Sequence, residues 1–142
     1  MSIVYTEITL VNDVDTCNVE LGYIKEDEIR QMTAQAIVDT GAWTVVINEE
    51  TREKLGLHDK GYGEATLADG QKGEYPMAGP LEIRWKNRRM IGEALVIPDA
   101  SPTFQVGADV LLGAMVLEHM DLTINPKREL VGVHGDKEMH RV

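Results

Sequence analysis

In the stretch Ala36-Ile37-Val38-Asp39-Thr40-Gly41-Ala42, an aspartate follows an apolar run and precedes a glycine. A second apolar run, Val45-Val46-Ile47, comes shortly afterwards. An ionised carboxylate at the end of a buried strand loses hydration, so it needs hydrogen bonds or a proton shared with another carboxylate. Two carboxylates that share one proton can activate a water molecule. Asp39 is therefore the first candidate for a catalytic residue.

A second apolar segment meets a glycine near the other end of the chain, at Leu111-Leu112-Gly113-Ala114, and an apolar, helix-like stretch follows it. In this order, the two segments resemble the paired signatures of the retropepsin-like (clan AA) aspartic proteases. The resemblance is closest to the small single-domain bacterial members and covers most of the chain. Its further landmarks are Ile3-Val4-Tyr5 to Val11-Asn12, Lys54-Leu55-Gly56-Leu57, Leu67-Ala68-Asp69-Gly70 and Asp121-Leu122-Thr123-Ile124-Asn125-Pro126.

This resemblance implies a mostly β fold, a retropepsin-like closed β-barrel or sandwich with one or two short helices. It also implies an aspartic endopeptidase that uses no cofactor and no metal. The sequence contains a single Asp-Thr-Gly, and 142 residues are too few for the two lobes of a pepsin-like enzyme. We therefore expect a homodimer in which each copy supplies one Asp39, with a peptide or unfolded protein as substrate.

The resemblance also assigns roles around Asp39. Thr40 would hydrogen-bond across the dimer, Gly41 would permit a tight turn, and Ala42 would leave room for substrate. Three residues that end the second apolar segment would support the loop from below, with the glycine placed where a side chain would clash: Leu111, Leu112 and Gly113.

A hairpin over residues 62–78 would form the flap that closes over substrate, because Asp69-Gly70 is a strong two-residue turn signal. Leu67, Ala68 and Tyr75 would line the pocket beneath it. Trp43 stands where the retroviral enzymes have an acid, and Ala114 stands where they have the arginine that pairs with it. Trp43 is therefore either an aromatic wall of the substrate site or an anchor in the core or the interface.

Local patterns place several elements. Asn48 predicts a helix cap, and the helix would run from Glu49 to Leu55 and end at Gly56. A second helix is expected at 113–119. Alternation and turn residues predict strands at 3–12, 17–25, 31–38, 43–47, 80–86 and 89–97, and two more around Asn125-Pro126. In this reading Cys17 is a structural thiol at a strand edge.

Composition excludes several functions. The net charge is −10, which disfavours nucleic-acid binding, and the basic residues of 84–89 look like a solvated hairpin. The sequence shows no apolar leader or membrane-spanning run, so we expect a soluble, cytoplasmic protein. We expect one domain over residues 1–135 and a tail over 136–142; a metal site at His134 and His140 is the less favoured reading of that end.

Two other hypotheses stay open on the sequence. In one, the fold is a catalytically silent dimerisation or peptide-binding module in which the aspartate pair is structural. In the other, the chain is an unrelated β-barrel binding protein.

Overall fold

The computed structural model describes residues 4–67, 70, 72–104 and 107–133. Within these residues the chain forms nine strands and three α-helices, besides a 3-10 turn at Glu26–Glu28. The elements are β1 Val4–Asn12, α1 Asp13–Glu20, β2 Gln31–Val38, β3 Val45–Asn48, α2 Glu49–Leu55, β4 His58–Thr66, β5 Lys72–Trp85, β6 Arg88–Ile97, β7 Val110–Leu112, α3 Ala114–Met120, β8 Leu122–Ile124 and β9 Leu130–Gly132. The predicted mostly β class is confirmed.

Six strands close into a barrel, in the order β1-β2-β7-β3-β6-β5, because β1 also pairs with β5. The closing register sets Leu10 opposite Ile83. β4 pairs with β5 outside this ring and is the edge strand of the sheet. Closure removes the two exposed edges that an open six-stranded sheet would present.

The strands nearest Asp39 are buried on both faces. Val45 and Ile47 of β3 face the main core inside the barrel, whereas Val46 faces a second cluster outside it. Leu111 of β7 and Leu95 of β6 belong to the same outer cluster. Because both faces are covered, these strands read as continuous apolar runs instead of alternating ones.

The predicted helix α2 is confirmed at both ends. The Asn48 side chain accepts a hydrogen bond from the Thr51 backbone N–H at 2.8 Å. Gly56 adopts a left-handed conformation with φ of 61° and ends the helix. The side-chain cap and the left-handed conformation explain why Asn is common before a helix and Gly after it.

The predicted strand at 17–25 is wrong, because helix α1 occupies Asp13–Glu20. Asn12 caps this helix by accepting a hydrogen bond from the Asp15 backbone N–H at 3.1 Å. Asp15 also receives two charge-assisted hydrogen bonds from the Arg30 side chain, each 2.9 Å long. Cys17 is consequently exposed on a helix and does not lie at a strand edge.

Three of the four basic residues of 84–89 form internal contacts, whereas Lys86 is exposed as predicted. Arg84 and Arg89 both pair with Glu82, whose side chain is almost fully buried. Arg88 is buried and donates to the backbone carbonyls of Met120, at 2.7 Å, and Val133, at 3.2 Å. The predicted solvated hairpin is therefore wrong for Arg88.

Two predictions lie outside the described residues: the tip of the flap at Ala68 and Asp69, and the tail with His134 and His140. The predicted hairpin is otherwise longer than expected, since β4 begins at His58 and β5 extends to Trp85. In the part of the chain that the structure describes, every helix is too short to span a membrane.

Candidate active site

Asp39 lies in a tight loop that leaves the barrel after β2. Its backbone N–H donates to the carbonyl of Leu112 at 3.0 Å, which continues the pairing of β2 with β7. Its Oδ1 accepts a hydrogen bond from the Gly41 N–H at 2.9 Å, and its carbonyl accepts one from the Ala42 N–H at 3.2 Å. The loop therefore holds the carboxylate by its own backbone.

The topology brings the two apolar signatures to one place. β7 lies between β2 and β3, parallel to the first and antiparallel to the second. In this register Leu112 is opposite both Val38 and Val45. The residues that follow β2 and β7 therefore meet at the same end of the barrel.

Gly113 lies against the loop with no space for a side chain. A Cβ placed there would be 2.5 Å from the Trp43 carbonyl carbon and 2.5 Å from the Thr44 carbonyl oxygen. Its N–H donates to that Thr44 oxygen at 3.0 Å. The first turn of α3 continues the contact, because the Ala114 and Met115 N–H groups donate to Ala42 and Trp43 at 2.8 and 2.9 Å.

These contacts use N–H groups at the start of α3 that have no partner within the helix. The loop and the helix therefore fix each other, and the backbone that carries Asp39 cannot shift without breaking several hydrogen bonds at once.

A groove of about 790 Å³ opens beside Asp39. Its floor comes from the outer apolar cluster, including Val46, Leu95 and Leu111. Its walls are the Asp39 loop on one side and residues 63–67, at the end of edge strand β4 and just beyond it, on the other. The groove is therefore mainly apolar, with a carboxylate on one wall.

Asp39 differs from Asp15 and Glu82, the two acids that are buried among the described residues. Glu82 pairs with two arginines, and Asp15 pairs with Arg30. No ion pair with Asp39 exists among the described residues. Its carboxylate is half-buried, lines the groove and is anchored through Gly41. Such a group is available to a second carboxylate, a water or a substrate.

The structure brings many of the predicted site residues to this groove, which Gly41, Ala42, Trp43, Leu67 and Leu111 line together with Asp39. Leu112 faces the main core, and Gly113 lies beneath the loop.

Three other predicted residues lie elsewhere. Thr40 lines a separate depression beside α3 and β8, with Ala114 and Leu122 among its neighbours. Tyr75 packs against the outer cluster and does not line the groove. Gly70, with φ of 84°, is also away from the groove lining.

Trp43 is 60% exposed, so the predicted alternative of a core anchor is wrong. Sequence reasoning also missed part of the lining, namely Ile37, Val46, Gly63, Met77, Leu95 and Thr103. Val46 could have been predicted, because it alternates with two residues that face the core. Met77 and Leu95 could not, since their place depends on how β5 and β6 pair.

Comparisons with known proteins agree with this geometry. The model of the family described as "Aspartyl protease" matches residues 26–116. No curated protein matches the chain. The solved retroviral protease-like domain of Ddi1 from Leishmania major has 19% identity and a TM-score of 0.52, over 89% of this chain and 84% of that one. The EIAV protease complexed with the inhibitor HBY-793 has 21% identity and a TM-score of 0.49, over 82% and 86%. The family match and the Ddi1 domain confirm the expected retropepsin-like fold.

Proposed function

The chain belongs to the aspartyl protease family, and we propose that it is an aspartic endopeptidase whose active site forms when two copies each contribute Asp39. The observation that carries this proposal is an aspartate without an ion-pair partner in the described chain, fixed by backbone contacts at the wall of an apolar groove. A single carboxylate cannot act as both base and acid at one moment, so the mechanism requires a second one.

In the proposed reaction, the ionised Asp39 of one copy removes a proton from a water molecule held between the two carboxylates. The water oxygen attacks the peptide carbonyl carbon, while the protonated Asp39 of the other copy donates its proton to the carbonyl oxygen. When the tetrahedral intermediate collapses and the C–N bond breaks, the Asp39 that took the water proton donates it to the leaving nitrogen. The other Asp39 takes a proton from a hydroxyl of the intermediate, which restores one ionised and one protonated carboxyl. The protein forms no covalent intermediate, and the two carboxylates titrate as a pair.

Substrate would bind as an extended strand between the Asp39 loop and β4. β4 is the edge strand of the sheet and its last residues line the groove. An unpaired strand edge can hydrogen-bond to an added strand through its backbone. The role of the β4–β5 hairpin as a flap is part of this proposal. The roles of Leu67 and of the residues at the hairpin tip are part of it as well.

Thr40 marks the face on which the second copy would dock. It lies on the exposed side of the loop, away from the groove, next to a depression of about 620 Å³ beside α3. A copy placed there by a two-fold axis would bring the two Asp39 loops together. The domain limits of 1–135 and a cytoplasmic location stay predictions.

The test compares Asp39→Asn with Asp59→Asn on an unstructured protein substrate between about pH 4 and 7. Asp59 is a close match, because its Oδ1 also accepts a hydrogen bond from the glycine two residues on, at 2.9 Å. It is exposed and away from the groove. We expect Asp39→Asn to abolish cleavage and Asp59→Asn to preserve it, and a pepstatin-type mimic to inhibit.

The same experiment distinguishes the endopeptidase from the alternative of a catalytically silent peptide-binding module. The exposed Trp43 beside the groove favours peptide binding, which both hypotheses include. Cleavage by the wild type that persists in Asp39→Asn would overturn the proposed mechanism. Peptide binding by the wild type without any cleavage would establish the silent module instead.

A further inference from the structure

We propose that Gly63 and Met77 together set the size of the peptide side chain that the groove accepts, and that they favour one bulky apolar residue of an extended peptide. This selectivity deepens the proposed function, on which it rests in taking the groove as the peptide site. It concerns which side chain binds, and not the cleavage step.

The floor of the groove is a single row of apolar side chains that crosses five strands of the barrel. Each member is the direct ladder partner of the next, and all of them line the groove: Ile37, Leu111, Val46, Leu95 and Met77. Neighbouring strands lie about 4.8 Å apart, so the row is roughly 19 Å long. Asp39 follows Ile37 by two positions. The row therefore begins beside the Asp39 loop and ends at Met77.

Gly63 of β4 faces this far end of the row, and its backbone does not require a glycine. The left-handed conformation belongs to Gly61, with φ of 89°, which lies where the pairing of β4 with β5 shifts register between Asp59 and Tyr62. Regular pairing has resumed at Gly63, opposite Tyr75, and φ of Gly63 is outside the left-handed region. A glycine inside a strand costs conformational entropy, and it often marks a place where another group approaches closely.

The group that approaches Gly63 is the end of the Met77 side chain. A Cβ at position 63 would lie 2.9 Å from Met77 Sδ and 3.3 Å from Leu95 Cδ1. Met77 is half-buried, whereas Leu95 is 1% exposed and packed in the outer cluster. An unbranched methionine adapts its shape to its neighbours more easily than a packed leucine does. Met77 is therefore a movable wall, which lies over Gly63 and leaves the groove beside it open.

The space beside this wall suits a bulky apolar side chain. Alternation along β4 turns Gly63, Ala65 and Leu67 toward the row and leaves the side chains between them exposed. A branched aliphatic or aromatic side chain that enters here exchanges water for contact with Met77 and Leu95. An alanine is too short to make the same contacts, and a polar side chain of the same size would lose hydration.

The experiment measures peptide binding by isothermal titration calorimetry to the full chain carrying Asp39→Asn, which prevents turnover. Three peptides share one polar, extended sequence and differ at a central position that holds leucine, alanine or asparagine. Asparagine is close to leucine in shape but polar. We expect the leucine peptide to bind about tenfold more tightly than the alanine peptide, and the asparagine peptide to bind no more tightly than alanine.

Gly63→Ala locates this selectivity, and Gly92→Ala is its matched control. Gly92 also lies inside a strand, and a Cβ there would also meet a methionine, at 3.2 Å from Met90 Cε, but Gly92 is outside the groove lining. Gly63→Ala should push Met77 into the groove, weaken the leucine peptide several-fold and leave the alanine peptide unchanged. Gly92→Ala should alter neither peptide, and thermal unfolding checks that each variant is folded.

A second substitution tests whether Met77 carries the effect. Because the new Cβ would displace the Met77 sulfur, adding Met77→Ala to Gly63→Ala should restore the affinity for the leucine peptide. Failure of this restoration would overturn the role of Met77 as the movable wall.

Equal affinity for the leucine and alanine peptides would overturn the inference, as would equal effects of Gly63→Ala and Gly92→Ala or the absence of binding by all three peptides. These results are distinguishable from failure of the proposed function. Wild-type chains that cleave an unstructured protein, while the three peptides bind equally, would refute the inference and leave the endopeptidase intact. Leucine-selective binding without any cleavage would do the reverse.

Discussion

At the scale of single residues, the site depends on one carboxylate and one missing side chain. Asp39 is held by the Gly41 N–H at 2.9 Å and projects into the groove. Gly113 lets the first turn of α3 approach the loop closely enough to hydrogen-bond with Ala42 and Trp43. The site therefore requires a glycine at position 113 as well as a carboxylate at position 39.

Gly113→Ala should destabilise the protein and abolish the proposed cleavage activity. The new Cβ would lie 2.5 Å from two backbone atoms of the loop, and backbone cannot rotate away as a flexible side chain can. We expect a loss of about 1–3 kcal/mol in the free energy of unfolding, measured by urea denaturation. Gly73→Ala is the control, because its Cβ would meet the Tyr75 ring at an ordinary 3.4 Å. An unaltered denaturation midpoint for Gly113→Ala would contradict this account of the loop.

At the scale of elements, helix α1 is fixed by the buried acid Asp15 in its first turn. The hydrogen bonds from the Arg30 side chain, each 2.9 Å long, hold the pKa of the Asp15 carboxyl below its ordinary value of 3.8. The neighbouring Asp13 is the opposite case. Burial, together with the nearby charges of Glu82 and Glu20, raises the pKa of Asp13 above 3.8.

Asp15→Asn should therefore lower stability at neutral pH and lose this effect in acid. A folded-state pKa below the unfolded value means that the ionised carboxylate stabilises the native state above pH 3.8, and that this contribution disappears as pH falls through the folded-state pKa. Because Arg30 is 48% exposed, we expect a modest loss of about 1–2 kcal/mol. Urea denaturation from about pH 7 to 3 measures it.

Asp13→Asn should show the opposite sign. Its raised pKa means that ionisation destabilises the native state as pH rises through the interval above 3.8, so removing the charge should leave neutral-pH stability equal or higher. The two variants change positions that are two residues apart in the first turn of the same helix. If both lowered stability equally across the pH range, the ion pair with Arg30 would not explain the first.

The elements that the sequence predicts correctly are those with local determinants. Asn48 and Gly56 mark the two ends of α2, and the apolar runs beside Asp39 indicate the buried strands. Helix α1 has a local start signal as well, because Asn12 caps it and Asp13 and Asp15 stand in its first turn. That signal alone does not separate a polar turn from a helix, and the ion pair that fixes the helix joins Asp15 to a residue fifteen positions away, which local alternation cannot show. The groove floor escaped prediction in part for the same reason, since Met77 reaches it only through the pairing of β5 with β6.

At the scale of the whole molecule, the barrel gives each copy half of the proposed catalytic pair. The groove is on one side of the Asp39 loop, and the Thr40 depression is on the other. In the proposed dimer the two loops meet through Thr40, so that both Asp39 carboxylates reach one site. If the proposed dimer forms the site, the cleavage rate per chain should fall when the protein is diluted below the dissociation constant of the dimer, which a dilution series of the cleavage assay measures.

The central claim is that two copies of Asp39 act together in one active site. It is tested most directly by co-refolding wild-type chains with Asp39→Asn chains in varied ratios at a constant total concentration, and measuring the cleavage rate of each mixture. A site that needs both carboxylates predicts a rate that falls with the square of the wild-type fraction. A rate that falls in direct proportion to that fraction would show that each chain works with its own Asp39 alone, and would contradict the account.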